Sequence, residues 1–483
     1  MKLISQKFNV EAPHKIILIE QDADLTKIGL GKEDLASAKE MFADKQSLFH
    51  IHASGKSLTI YRLNTEAKNL FEDARKNGHQ VYRRLCTLGA KQVSLTALST
   101  REQIPAAFTE GMLLSSYQFL KYKTQGAKAH SLQTLAVDQL ILSKERVAEI
   151  LTIVEANFIA RNLVNEPLTY LTAVQLSKDI QALGKKAGFK VTVFDKKKIE
   201  ALQMGGLLAV NRGSQRPPTF TVMEYAPKKA RNKKPIVLVG KGVVYDTGGL
   251  SLKPTPASMD MMKCDMSGAA AVAGILYGIA MLRLPVHVVG LIPATDNRPG
   301  EDAYTPGDVI RMMSGLQVEV LNTDAEGRMI LADALFYAQR YKPELVCDYA
   351  TLTGAAARAI GTVATALMGN APEEIKNKLH ESGHHTYERL AELPLFEEYD
   401  QMIKSDVADI KNIGGADAGA QTAAMFLRRF TNYPWLHFDI AGPAYIMSED
   451  AYRGKYATGV CVRLMIDFLK NYSPELWKTE GKD

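Results

Sequence analysis

Four carboxylates in this chain, Asp246, Asp265, Asp324 and Glu326, stand beside glycines or at the edges of apolar runs, not along polar helical stretches. The string Asn322-Thr-Asp324-Ala-Glu326-Gly-Arg328 directly follows the apolar run Val318–Leu321. If that run's extended geometry continues, Asp324 and Glu326 face one side about 6–7 Å apart, because side chains alternate along a strand. Two carboxylates held that close repel unless positive charge lies between them, and a divalent cation provides it. Four such groups suffice to bridge a pair of hard or borderline ions such as Mn²⁺, Mg²⁺ or Zn²⁺ through oxygen. Lys241 and Asp246 fall just after the apolar run 235–240, at the strand end where α/β sheets build their sites, and Lys253 follows closely. Asp265 precedes the small-residue run 267–282, where it serves equally well as a helix cap.

Softer chemistry is not on offer. Cys86, Cys264, Cys347 and Cys461 are scattered and form no CxxC pair, and there is no HExxH. His380, His384 and His385 lie on a polar stretch that reads as a solvated helical face.

These residues need elements to hold them. In residues 1–142, β-type runs (15–20, 57–62, 92–97) alternate with helical patterns (33–42, 67–86), which predicts an N-terminal α/β domain. Residues 143–165 keep Val147, Ile150, Leu151, Val154 and Phe158 on one face and stop before Pro167, as expected of a helix linking two domains. Residues 166–483 then alternate apolar runs (236–239, 286–292, 318–321, 345–349) with helical segments (268–282, 329–340). This predicts a second α/β domain, built on a central mixed, largely parallel sheet covered by helices.

At 483 residues the chain exceeds what one core usually supports. No run of about 20 consecutive apolar residues stands out, and scattered cysteines suit a reducing compartment, so the expectation is a cytoplasmic protein with no membrane partner. Net charge is +6, of which residues 1–150 hold +5, with 21 Lys and Arg against 16 Asp and Glu. That excess, with the clusters 196–198 and 228–234, reads either as solvated surface or as contact with an anionic partner such as DNA.

The strings VGKGVVYDTGGLSLK (239–253), MDMMKCDMSGAA (259–270) and NTDAEGRMILADAL (322–335) resemble the leucyl, or cytosol, aminopeptidase family. ARNLVNEP (160–167), SDVADIKN (405–412) and HFDIAGPA (437–444) extend the likeness to about residues 155–470. The resemblance implies a metal-dependent aminopeptidase releasing N-terminal residues from peptides with a two-metal-activated water. It implies ligands Lys241, Asp246, Asp265, Asp324 and Glu326, with Asp246 and Glu326 bridging two divalent ions per subunit, Mn²⁺ or Zn²⁺, with Mg²⁺ or Co²⁺ as further options. Lys253 and Arg328 take the places of the catalytic cations. Arg328, with backbone groups of Ala325, Gly327 and Leu352, is implied to hold bicarbonate as general base.

By position, Met262, Thr351, Gly354, Ala441 and Ala444 resemble the lining of the first substrate subsite, open enough for Leu or Met, although Met262 also suits core packing. The resemblance also implies a homohexamer, a dimer of trimers. An additional DNA-binding or regulatory role through the basic N-terminal domain is the alternative. Departures from the usual pattern are Ser267 for glycine, Met329 for leucine, and Tyr245-Asp246-Thr247 for Phe-Asp-Ser. None removes an implied ligand.

Overall fold

Residues Ile236–Gly240 are buried throughout, and an unbroken β-branched and apolar run of this kind suits a strand covered on both faces. In the computed structural model, which describes residues 1–6, 12–20, 22–53, 56–64, 66–98 and 101–477, this run lies within a nine-stranded sheet. Eight of its strands lie in the order Leu390–Glu392, Thr365–Gly369, Trp435–Asp439, Leu345–Ala350, Ile236–Gly240, Val288–Asn297, Thr219–Tyr225 and Lys190–Phe194, and the ninth, Gly242–Asp246, pairs off this path with Val288–Asn297. The four strands from Trp435–Asp439 to Val288–Asn297 run parallel, while antiparallel pairs flank them on both sides. The sheet is therefore mixed, with a parallel centre.

Helices cover both faces. Val237 and Val239 join one buried cluster with Ile330, Leu331, Ala334 and Leu335 of the helix Glu326–Ala338. The helix Ser267–Met281 packs against the strands Ile236–Gly240 and Leu345–Ala350. Gly268 permits this closeness, since a Cβ there would lie 1.9 Å from the carbonyl oxygen of Tyr349. The segment Met259–Met281 is long and apolar enough to cross a membrane by composition, but 94% of its apolar window is buried inside the protein. It is a core helix.

Two differences from the sequence reading bear on the site. Gly242–Asp246 forms a further short strand paired in parallel with Val288–Asn297, so Asp246 ends a strand of its own. Gln317–Glu319 lies outside the large sheet, in a three-stranded sheet with Val309–Arg311 and Ile410–Lys411.

The chain divides into two compact units, Met1–Val154 with Ser448–Gly454, and Glu155–Met447 with the chain from Lys455 onward. The first carries a six-stranded sheet whose strands are parallel except for the edge strand Leu48–Ala53. The returning segment is bonded into this unit: Tyr452 donates its hydroxyl to Glu72 Oε2 at 2.6 Å. The division falls within the helix Lys144–Asn165.

Candidate metal centre

One lysine and the carboxylates are delivered from four pieces of chain that converge at the carboxyl ends of the parallel strands. Lys241 follows the strand Ile236–Gly240, and its backbone stays laced to neighbours: its N–H donates to Tyr349 O at 3.0 Å, and its carbonyl accepts from Ala269 N at 2.9 Å. Asp246 closes the next strand. Asp265 lies in the 3₁₀ turn Met259–Met266 and Glu326 is the first residue of the helix Glu326–Ala338. Ligand oxygens of Asp246, Asp265 and Glu326, all buried, lie within 4.8 Å of one another.

Asp324 and Glu326 do not project from a continuing strand. Ala325 has φ −105° and ψ 36°, so the chain turns between them and enters the helix. The Asn322 side chain supports that turn by accepting the Asp324 N–H at 2.7 Å. Nor does Asp265 cap the helix after it. Its Oδ1 instead accepts from Lys241 Nζ at 2.7 Å and from Thr351 Oγ1 at 2.8 Å.

The two lysines divide the acids between them. Lys241 Nζ contacts Asp265, lies 2.9 Å from Glu326 Oε1, and donates to Thr351 O at 3.0 Å. Lys253 Nζ lies 2.9 Å from Asp246 Oδ2 and 2.5 Å from Asp324 Oδ1. Asp246 Oδ1 accepts from Gly248 N and Asn297 Nδ2, each at 2.8 Å.

Burial opposes the lysines' charge, yet the surrounding carboxylates outweigh it and hold both pKa values above the ordinary one. Burial and the negative charges of Glu326 and Asp246 push Asp265 well up despite Lys241, and push Asp324 up to about 7. Two ammonium groups set among four carboxylates leave the cluster net negative. Asp265 Oδ2 and Glu326 Oε2 are moreover buried without hydrogen-bond partners among the described residues. Buried anionic oxygens left so are costly, and this oxygen-rich set with one amine suits divalent cations.

Arg328 is buried on the same helix turn, and burial lowers its pKa to about 10 against the pull of Glu326 and Asp439. Its Nη1 donates to Asn412 O at 2.7 Å, while Nε has no hydrogen-bond partner among the described residues. The Ala325 N–H donates to Asn322 O at 3.3 Å and the Leu352 N–H to Asp439 Oδ1 at 3.2 Å. Thr351 touches the cluster through Asp265, and Gly354 begins the helix Gly354–Ile360. Met262 is half-buried in the Met259–Met266 turn, Ala441 is half-buried, and Ala444 is only 2% exposed.

Asn297 and Asp439 escaped the sequence reading. Asn297 Nδ2 ties Asp246 to Thr323 O at 3.0 Å, joining two ligand-bearing segments. The available signal was a polar residue ending an apolar run at a strand's carboxyl end, the position already used to single out Asp246.

The family described as cytosol aminopeptidase, catalytic domain, matches residues 158–466. Among similar chains, a probable cytosol aminopeptidase of Chlorobaculum tepidum is 47% identical over 387 residues, 77% of this chain and 76% of that one. Another, of Geobacter sulfurreducens, is 47% identical over 376 residues, 76% of this chain and 74% of the relative. In structure, the bottromycin maturation enzyme BotP in complex with Mn matches with TM-score 0.84 and 31% identity, over 95% of this chain and 99% of that one. A mutant of tomato leucine aminopeptidase matches with TM-score 0.86 and 25% identity, over 98% of this chain and 97% of that one. The DNA-binding alternative finds no support in these matches.

Proposed function

Because the chain belongs to the cytosol aminopeptidase family and is a metal-dependent aminopeptidase acting on peptides, we propose that it releases N-terminal residues one at a time, with Leu and Met preferred. The supporting observation is the buried cluster of Asp246, Asp265 and Glu326 with Lys241 and Lys253 set among its acids. Asp246 and Glu326 would bridge two ions, Asp265 and Lys241 completing one site and Asp324 the other. Bound there, Mn²⁺ or Zn²⁺, or else Mg²⁺ or Co²⁺, supply Lewis acidity and acidify a water. That a Mn complex is among the similar structures supports the first choice.

The chain's own groups do the rest. Lys241 must surrender its proton to act as a ligand, so loading the site releases a proton. Lys253, 14% exposed at its side chain, has its ammonium at the edge of the acid cluster and can donate to the oxygen on which negative charge develops. Arg328 Nε, buried and without a hydrogen-bond partner among the described residues, suits an anion such as bicarbonate, which would accept a proton there. Of the backbone groups of Ala325, Gly327 and Leu352 proposed to help, the N–H groups of Ala325 and Leu352 are bonded to Asn322 O and Asp439 Oδ1. Met262, Thr351, Gly354, Ala441 and Ala444 would bound the first subsite. A cytoplasmic homohexamer, a dimer of trimers, is the assembly the family resemblance supports.

The test uses one peptide in two forms, with a free α-amine and N-acetylated. Timed digests read by mass spectrometry should give a ladder of single N-terminal losses from the free peptide and leave the acetylated form intact, since a free amine can anchor the end beside the reacting carbonyl. Internal fragments, or equal cleavage of both forms, would overturn the exopeptidase reading.

A further inference from the structure

Asp439 closes the strand Trp435–Asp439 and pairs in parallel register with Ala350, the last residue of Leu345–Ala350. From these two adjacent strand ends leave two loops, residues 351–354 and 440–444. Asp439, 1% exposed, is bonded to both. Its Oδ1 accepts the backbone N–H of Leu352 at 3.2 Å, of Thr353 at 3.4 Å and of Ala441 at 3.2 Å. Its Oδ2 accepts the Thr353 hydroxyl at 2.7 Å. A main-chain bond, Ile440 N to Ala350 O at 2.8 Å, supports the same junction.

The first loop is thus fixed at both ends. Thr351 Oγ1 and its carbonyl bind Asp265 and Lys241, while Thr353 Oγ1 also accepts from Ala356 N at 3.0 Å and starts the helix Gly354–Ile360. In the second loop Ala441 is bonded directly to Asp439, and Ala444 N is turned back onto Ile440 O at 3.0 Å. A charged acceptor bonds more strongly than a neutral one, so one carboxylate can hold three amides that no regular ladder serves.

We infer that Asp439 is a positioning residue for specificity: without touching substrate, it sets the separation of the 351–354 and 440–444 loops and so decides which N-terminal side chains fit. The inference rests on the reading above that Thr351, Gly354, Ala441 and Ala444 bound the first subsite. Losing the clamp lets both walls relax, which weakens binding of well-fitting side chains more than it slows chemistry at the acid cluster.

The experiment compares wild type with Asp439→Ala, Asp439→Asn, Thr353→Val and Thr353→Ser on Leu, Met, Ala and Phe p-nitroanilides. Metal content is measured alongside. Asp439→Ala should raise KM for the Leu and Met substrates about tenfold or more and flatten the ranking of kcat/KM among the four, with metal content unchanged. Asp439→Asn keeps an acceptor oxygen and should recover most of the ranking. Thr353→Val should shift it in the same direction as alanine, and Thr353→Ser should restore it.

An unchanged ranking in Asp439→Ala and Thr353→Val overturns the inference, as does a uniform fall in kcat or a loss of metal. Should Asp439→Ala fail to fold, the Thr353 pair decides alone. Wild type inactive on all four substrates would instead sink the aminopeptidase reading itself.

Discussion

A Cβ placed on Gly327 would lie 2.6 Å from Nζ of Lys241 and 2.5 Å from its Cε. The lysine reaches Asp265 and Glu326 only because the residue after Glu326 has no side chain. Gly327→Ala should therefore displace the ammonium while the helix Glu326–Ala338 still forms, alanine being the better helix former. Activity should fall by about 10²-fold or more, as misplacement of about 1 Å can cost. Steady-state kinetics with circular dichroism checks this, and an active, normally folded variant would contradict the packing described.

Glu326→Gln should leave a folded protein with activity below about a tenth of wild type, because a neutral amide cannot balance two ions. Elemental analysis should show reduced metal. Turnover above that level would remove Glu326 from the bridging position.

Lys253→Ala should lower kcat by roughly 10²–10³-fold with metal content retained, the loss typical of a group that stabilises a developing oxyanion. Loss of metal in this variant would show instead that the ammonium organises Asp246 and Asp324.

Asp333 gives a pH dependence separate from the metal cluster. Its carboxylate is buried, accepts the N–H of Leu207 at 3.0 Å and of Met313 at 2.9 Å, and burial raises its pKa to about 7. The folded state thus holds this proton where the unfolded chain, at the ordinary value of 3.8, has released it. The stabilisation is complete below the unfolded value and is lost as pH rises through about 7. Thermal unfolding between pH 5 and pH 8 should show Asp333→Asn gaining stability relative to wild type as pH rises. A constant difference across that window would mean the carboxyl does not titrate there.

Much of the site was legible because its acids occupy places that surface charges rarely take. Asp246, Asp265, Asp324 and Glu326 sit beside apolar runs and glycines, and the fold gathers them at one end of the sheet. The local path was less legible. An extended Asp324-Ala-Glu326 and a turn into a helix leave the same residue pattern, and only the Asn322 side-chain bond and the helix start distinguish them. Asp439 was hidden for a different reason: Leu352, whose amide it accepts, lies 87 residues away in sequence. A backbone N–H has no residue type, so nothing in the string announces such a partner.

The return of Ser448–Gly454 into the first compact unit has a consequence for synthesis. A ribosome delivers the segment Met1–Val154 long before residue 448, so Glu72 can bond to Tyr452 only after the 380 residues that separate them have been made. The first unit can gather its sheet early, but nascent chains truncated before residue 448 lack the segment that bonds back to it.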